Sequence, residues 1–152
     1  MLYDPTDGKR VKRPFNHISW VHQVVKLPDF ALSQCLFGEH QLQRAPMSQV
    51  VGVVESEKTA IIASACWPEL VWLATGSLTG LNTTKCQALQ GRKVILFPDG
   101  SAYEQWAARA EKLQEELGAL VKVSDWLEQH ATQAQVEAGL DLADLIRKPY
   151  PD

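Results

Sequence analysis

From residue 49 onward, short apolar β-branched runs alternate with helical stretches, and no other feature limits the fold as much. Val50-Val51-Gly52-Val53-Val54 is continuous rather than alternating, the mark of a strand buried on both faces. Leu70–Ala74, Val94–Phe97 and Ala119–Val123 repeat the pattern. Strand, helix, strand at this spacing implies right-handed βαβ crossovers. The expected fold class is therefore α/β: a three-layer sandwich around a mostly parallel sheet of about four or five strands, with helices on both faces.

The connecting segments carry helix punctuation. Ser56–Ala65 reads as a helix ending before Pro68. Asn82 suits the cap of a short helix over Thr83–Gln90, with Gly91 as its left-handed terminator. In the clearest helix, Ser101 is the expected cap and Glu104 completes a capping box. Ala102, Trp106, Ala110, Leu113 and Leu117 form its apolar stripe, and Gly118 ends it. Ser124 is expected to cap another helical turn, Thr132 with Gln135 a further one, and Gly139 sets off a last element over Leu140–Arg147. Residues 1–48 read differently: Gly, Pro and Asp punctuate them, and only His17–Lys26 has helical character. They are expected to be a lead-in packed on a core over 49–152, with room for an added edge strand.

At 152 residues, with 45% hydrophobic and 22% charged residues, the chain suits one folded domain that needs no disulfide or metal to hold it. Cys35, Cys66 and Cys86 form no CxxC pair and point to no zinc finger. Cys66 and Cys86 read as small core residues within helices. No apolar run approaches the length of a membrane span, and Met1–Pro5 lacks the pattern of a secretion signal, so the expected location is cytoplasmic. The net charge is −3, unevenly distributed. Residues 1–26 hold five Lys/Arg (Lys9, Arg10, Lys12, Arg13, Lys26) against two Asp, and residues 104–144 hold nine Asp/Glu against three Lys/Arg. The Lys9–Arg13 arm is either a phosphate-contacting patch or a solvated strand.

In open parallel sheets, ligands gather outside the carboxyl ends of the strands. Strand one ends in Glu55, strand two in Thr75-Gly76-Ser77-Leu78-Thr79-Gly80, and strand three in Asp99. Two carboxylates at neighbouring strand ends suit a hard divalent cation, and a glycine- and hydroxyl-rich turn could offer N–H groups to a phosphate. Each has a plain structural reading as well: Glu55 at a helix start, Asp99 in a Pro-Asp-Gly turn, Gly76 and Gly80 as backbone punctuation. His17, His22 and His40 match no common metal spacing and read as packing or surface residues. Trp72 and Trp106 read as core, and Trp20 is the tryptophan nominated for base stacking. No P-loop or dinucleotide-binding glycine pattern is present in the sequence.

Val53-Val54-Glu55-Ser56-Glu57-Lys58-Thr59-Ala60, Ala74-Thr75-Gly76 and Val94-Ile95-Leu96-Phe97-Pro98-Asp99 together resemble the Toprim domain of primases, topoisomerases and related nucleases. The nearer likeness is to Toprim-like domains of primase-related proteins of bacterial mobile elements, whose lead-in resembles Cys35-Leu36-Phe37-Gly38-Glu39-His40. Asp141-Leu142-Ala143-Asp144 is similar to the D-x-x-D ending of primase-type members. The resemblance implies that Glu55 is a general acid or base and that Asp99 holds Mg²⁺ or Mn²⁺. It breaks at Ser101, which stands where the family has a second metal-binding aspartate; a hydroxyl there implies weak metal affinity. Glu55, Asp99 and Ser101 are thus the candidate metal set. Lys58, Thr75, Gly76, Ser77, Lys9, Arg10, Lys12 and Arg13 are the candidate contacts to phosphate or nucleic acid.

The implied function is Mg²⁺-dependent nucleotidyl transfer or phosphodiester chemistry on DNA or RNA in the replication of a mobile element. A replicative helicase or other replication protein is the implied partner, with no membrane involved. A catalytically degenerate module that binds nucleic acid or a replication partner is the alternative, and a Mg²⁺-dependent phosphohydrolase of small phosphate esters would use the same carboxylates.

Overall fold

A computed structural model describes residues 2, 4–6, 11–137 and 139–146. The chain divides into two compact units, Met1–Ser33 and Gln34–Asp152. In the first, helix α1 (Val21–Val25) is the one helix among the described residues, shorter than the His17–Lys26 expected, and it buries none of its residues. It ends at Lys26, which adopts a left-handed conformation with φ 51°. The His22 and Phe30 rings stack with centroids 4.7 Å apart.

In the second unit, four strands form one sheet: β1 (Val51–Val54), β2 (Val71–Ala74), β3 (Lys93–Leu96) and β4 (Leu120–Val123). Their order is β2-β1-β3-β4 and every pairing is parallel, as the expected α/β class requires. The central strand β1 is buried along its whole length, which is why its residues are continuously apolar. The edge strand β4 instead alternates between exposed and half-buried. Beyond β2, the sheet gains no fifth strand among the described residues, only an antiparallel bridge in which Phe37 and Ala74 exchange backbone hydrogen bonds of 2.9 and 3.1 Å.

The two faces are covered separately. Val51, Val53, Val71, Leu73, Val94 and Leu96 face a core closed by Trp106, Ala110, Leu113 and Leu117 of helix α3 (Tyr103–Leu117), with Leu36 and Leu42 from the segment before β1. Val54, Trp72 and Ala74 face the other way. They pack against Ala60 and Ala63 of helix α2 (Glu57–Cys66) and Leu142 of a C-terminal helix. Gly52 shares that second face because a Cβ there would stand 2.7 Å from the Trp72 ring. Helices therefore lie on both sides of the sheet, completing the α/β sandwich.

Helix α2 starts as its sequence dictates: Ser56 is the cap, and its Oγ accepts from the Thr59 backbone N–H at 3.2 Å. Three short elements follow β4: α4 (Trp126–His130), α5 (Gln133–Glu137) and α6 (Leu142–Ile146). The Thr132–Gln135 pairing is present as its reciprocal arm, Thr132 N–H donating to Gln135 Oε1 at 2.9 Å.

Other expectations are corrected. Ser101 does not cap α3; the cap position is Ala102, with no side-chain hydrogen bond. The turn after β3 closes through Ala102 N–H to the Asp99 carbonyl (2.8 Å), which leaves Ser101 exposed before the helix begins. The segment expected as a helix over Thr83–Gln90 yields only a 3₁₀ turn at Gln87–Leu89, preceded by the buried Cys86. Cys66, at the last position of α2, is exposed rather than core.

Candidate functional site

Parallel strands place all their carboxyl ends on one edge, so the residues after β1, β2 and β3 are neighbours by construction. Glu55 directly follows β1, Thr75 follows β2, and Asp99 stands three residues past β3, with β1 lying between β2 and β3. The ladder continues briefly beyond the strands: Thr75 N–H donates to the Val54 carbonyl (3.0 Å) and Phe97 N–H to the Val53 carbonyl (2.8 Å). Both loops are thereby tied to β1 just before Glu55.

Asp99 is the most perturbed acid of the group. Burial, then the negative charges of Glu55 and Asp141, push its carboxyl up to about 7, while Lys58 works in the opposite direction. Glu55 is also raised by burial, opposed by a hydrogen bond from the Leu78 backbone N–H. Two half-buried carboxyls with raised pKa values thus follow adjacent strands, and the charge of Glu55 contributes to the shift at Asp99.

A third acid joins them from the far end of the chain. Asp141 is buried, and its carboxyl accepts from Lys58 Nζ at 2.7 Å and Thr59 Oγ1 at 2.9 Å. Burial opposes its ionisation, but the hydrogen bonds from Lys58 and Thr59 outweigh it and hold the carboxyl below its ordinary value. Asp141 and Asp144 also cap α6 reciprocally, Asp144 N–H to Asp141 Oδ1 at 3.1 Å and Asp141 N–H to Asp144 Oδ2 at 3.2 Å. What brings this segment to the site is Gly100, whose N–H donates to the Leu140 carbonyl (3.1 Å) and whose missing Cβ would stand 3.2 Å from the Val136 backbone. The D-x-x-D spacing was the visible signal; its place beside Asp99 was not.

Lys58 is therefore committed to Asp141. For the ammonium, burial alone would lower its pKa, and the hydrogen bond and charge of Asp141 reverse that, leaving it raised. Among the described residues this is the one ion pair. Ser101 is exposed in the turn beyond Asp99.

The Thr75–Gly80 turn is internally closed. Gly76, at φ 75°, donates its N–H to the Glu55 carbonyl (2.8 Å), Gly80 N–H goes to the Ser77 carbonyl (2.9 Å), and buried Thr75 donates its hydroxyl there too (2.8 Å). The N–H groups of Thr75 and Gly76 are thus taken by the carbonyls of Val54 and Glu55, and that of Gly80 by the loop itself, while Ser77 is exposed. Lys85, which the sequence reading did not single out, donates Nζ to the Thr75 carbonyl. Arg109 of α3 donates to the Leu78 carbonyl. Leu78 is consequently held at its carbonyl by Arg109.

Gly80 is indispensable to this loop, since a Cβ there would lie 2.3 Å from the Thr75 carbonyl oxygen. Gly80→Ala is expected to cost about 3 kcal/mol through that backbone clash. Denaturant unfolding checks this, and a loss below about 0.5 kcal/mol would show that the turn has another way to close.

Lys12 and Arg13 are exposed in the first unit; Lys9 and Arg10 lie outside the described residues. Trp20 is exposed there too, with its ring 6.3 Å from that of His22. Trp72 and Trp106 are core as expected.

Fold and site together define a parallel α/β domain with an acidic cluster at the carboxyl edge of its sheet. The chain belongs to the family described as a domain of unknown function, DUF6371, whose match spans residues 1–100 and so takes in Glu55, the Thr75–Gly80 turn and Asp99. No curated protein and no solved structure matches it.

Proposed function

We propose that this protein is a Toprim-like domain of the primase type, which uses Glu55 and Asp99 in Mg²⁺- or Mn²⁺-dependent phosphodiester or nucleotidyl-transfer chemistry on DNA or RNA. The observation that carries the reading is that Glu55 and Asp99 follow neighbouring parallel strands, with the charge of Glu55 helping to raise the Asp99 carboxyl.

The donor set fits a hard divalent cation: oxygen ligands only, carrying negative charge that the local lysine does not fully offset. Among the described residues no three His, Cys, Asp or Glu side chains form a ready-made cage. Glu55 and Asp99 would hold the ion, leaving its other positions to water and phosphate oxygens, in keeping with the weak affinity that Ser101 implies. Bound there, the cation would supply charge stabilisation at the phosphoryl oxygens. Glu55, with its raised pKa, would take or return the proton of the attacking or leaving hydroxyl. Lys58 orients Asp141 rather than the substrate, since its ammonium is already hydrogen-bonded there. A role in replication of a mobile element, beside a helicase or another replication protein, belongs to the same proposal and rests on the resemblance described above.

The degenerate alternative is favoured by one observation: Ser101 lies exposed in the position of the second aspartate, so the domain would bind its partner without turning it over.

The test is Mn²⁺ or Mg²⁺ calorimetry together with primer-synthesis and nuclease assays on Glu55→Gln and Asp99→Ala. We expect a loss of about 100-fold or more in turnover for each. Turnover that survives Glu55→Gln removes the enzymatic reading, whereas cation binding without turnover in the wild type selects the binding module. As to location, no helix among the described residues is long and apolar enough to cross a membrane; cytoplasmic residence is part of the proposal.

A further inference from the structure

Between the loop that follows β2 and helix α3 lies a polar cleft of about 290 Å³. It is lined by Thr79, Asn82, Thr83, Arg109 and Lys112, with Glu116 and two leucines completing the wall. Its chemistry differs from that of the site above. Two cations, two hydroxyls and an amide face one carboxylate, so the cleft favours an anion with several acceptor oxygens.

Three further facts define it. Arg109 is half-buried and its guanidinium is anchored on the Leu78 carbonyl, so the fork is oriented before any ligand arrives. Neither Arg109 nor Lys112 forms an ion pair among the described residues, the one such pair being Lys58–Asp141. Finally, Asn82 is already braced: its Oδ1 accepts from the Lys85 N–H (3.0 Å) while its amide nitrogen donates to the Thr79 and Gly80 carbonyls (3.3 and 3.4 Å). The cleft wall is therefore built by the same loop that carries Leu78.

We infer that this cleft is a phosphate-binding subsite, which receives a nucleotide phosphate next to the one held at Glu55 and Asp99. The inference rests on the phosphodiester reading for the identity of the ligand, though not for its chemistry. Arg109 supplies a planar pair of donors, Lys112 a mobile point charge, and Thr79 and Thr83 hydroxyl donors for the remaining oxygens. Glu116 disfavours a second negative group at the Lys112 end and so limits the subsite to one phosphate. Because Arg109 also holds the Leu78 carbonyl, a phosphate on Arg109 would stiffen the Thr75–Gly80 loop.

Amide-resolved NMR of the full chain tests this, with two probes: deoxyadenosine monophosphate and a short oligothymidylate. Both are expected to shift Thr79, Asn82, Thr83 and Arg109 without added divalent cation. The free monophosphate tells a nucleotide source from a polymer source, which alone shows a steep salt dependence. Lys112→Glu, a change at an exposed helix position, is expected to weaken oligothymidylate binding about tenfold and to lower the salt slope by about one. Unchanged affinity and slope in that variant overturn the subsite, as do shifts confined to residues outside the cleft. If the cleft responds while Glu55→Gln leaves turnover intact, the subsite stands and the proposed chemistry falls. If cation and oligothymidylate bind but the cleft does not respond, the subsite falls and the chemistry stands.

Discussion

Asp99→Asn is expected to make the protein more stable at neutral and alkaline pH and, on the proposed function, to remove its response to divalent cations. The carboxyl of Asp99 is pushed up to about 7 from an ordinary 3.8. Between those two values the unfolded chain has released the proton and the folded chain still holds it. The folded state then binds more protons, so stability falls as pH rises through this window and is level above it. This is the reverse of a salt-bridged aspartate. At 1.36 kcal/mol per pKa unit the full penalty would be about 4 kcal/mol, and solvent access to a half-buried carboxyl reduces it to about 2.

Asparagine keeps the shape and omits the charge, so the variant's melting temperature should exceed the wild type's by roughly 5 °C at about pH 8 and converge with it near pH 4. Thermal melts across that range check both the size and the slope. A constant offset at every pH would mean that Asp99 does not titrate in the window. Mg²⁺ or Mn²⁺ favours the ionised carboxyl, so it should raise the melting temperature of the wild type and leave the variant unmoved. On the proposed function, stability and activity pull in opposite directions at this residue, as is common where a site holds like charges together.

Arg92→Ala is expected to be the most damaging single change away from the site. Arg92 opens the β3 segment and is only 6% exposed, yet no carboxylate pairs with it among the described residues. Its guanidinium instead donates to the Leu42 carbonyl at 2.8 Å, Pro46 at 3.3 Å and Ala45 at 3.5 Å. Those carbonyls gather at the end of the 3₁₀ turn Glu39–Gln43, where the backbone dipole is negative. One side chain thus fastens the segment before β1 to the start of β3. Removing it strands three buried or half-buried acceptors and leaves a cavity, costing about 3–5 kcal/mol, or roughly 10 °C in melting temperature. Arg92→Lys should recover only part of the loss, because an ammonium cannot span three carbonyls with the reach of a planar fork. Lys93→Ala, on the exposed neighbour, is the control and should be nearly neutral. A loss below about 1 kcal/mol for Arg92→Ala would show that water can replace the guanidinium.

How much of this was legible before any coordinates depends on how local each cause is. Three of the four strands follow from unbroken apolar runs and the fourth from a β-rich run interrupted by Lys122, and α2 follows from Ser56, because these signals act within a few residues. The α3 stripe of Trp106, Ala110, Leu113 and Leu117 is buried as its spacing predicts. Ser101 misled because a capping box can be written anywhere a serine precedes a glutamate by three. Here the Asp99–Ala102 turn takes the backbone first and delays the helix to Tyr103. Cys66 misled because free cysteine favours burial on average, and here it ends α2 exposed. Arg92 carried no signal at all, since its partners are carbonyls 46 to 50 residues away.

The sequence by itself determined that β1 ends at Glu55 and that Asp99 follows β3, and parallel topology then put both on one edge of the sheet. Only the tertiary structure decided what surrounds them. Leu142 and Ala143 bury α6 on the α2 side, and Gly100 admits the Val136–Leu140 segment at van der Waals distance. Together these deliver Asp141 to Lys58 and Asp144 to the neighbourhood of Asp99. Strand ends are set by short-range pattern. The charge environment of an acid is set by whichever distant segment packs against it, and that depends on shape complementarity no local run of residues encodes.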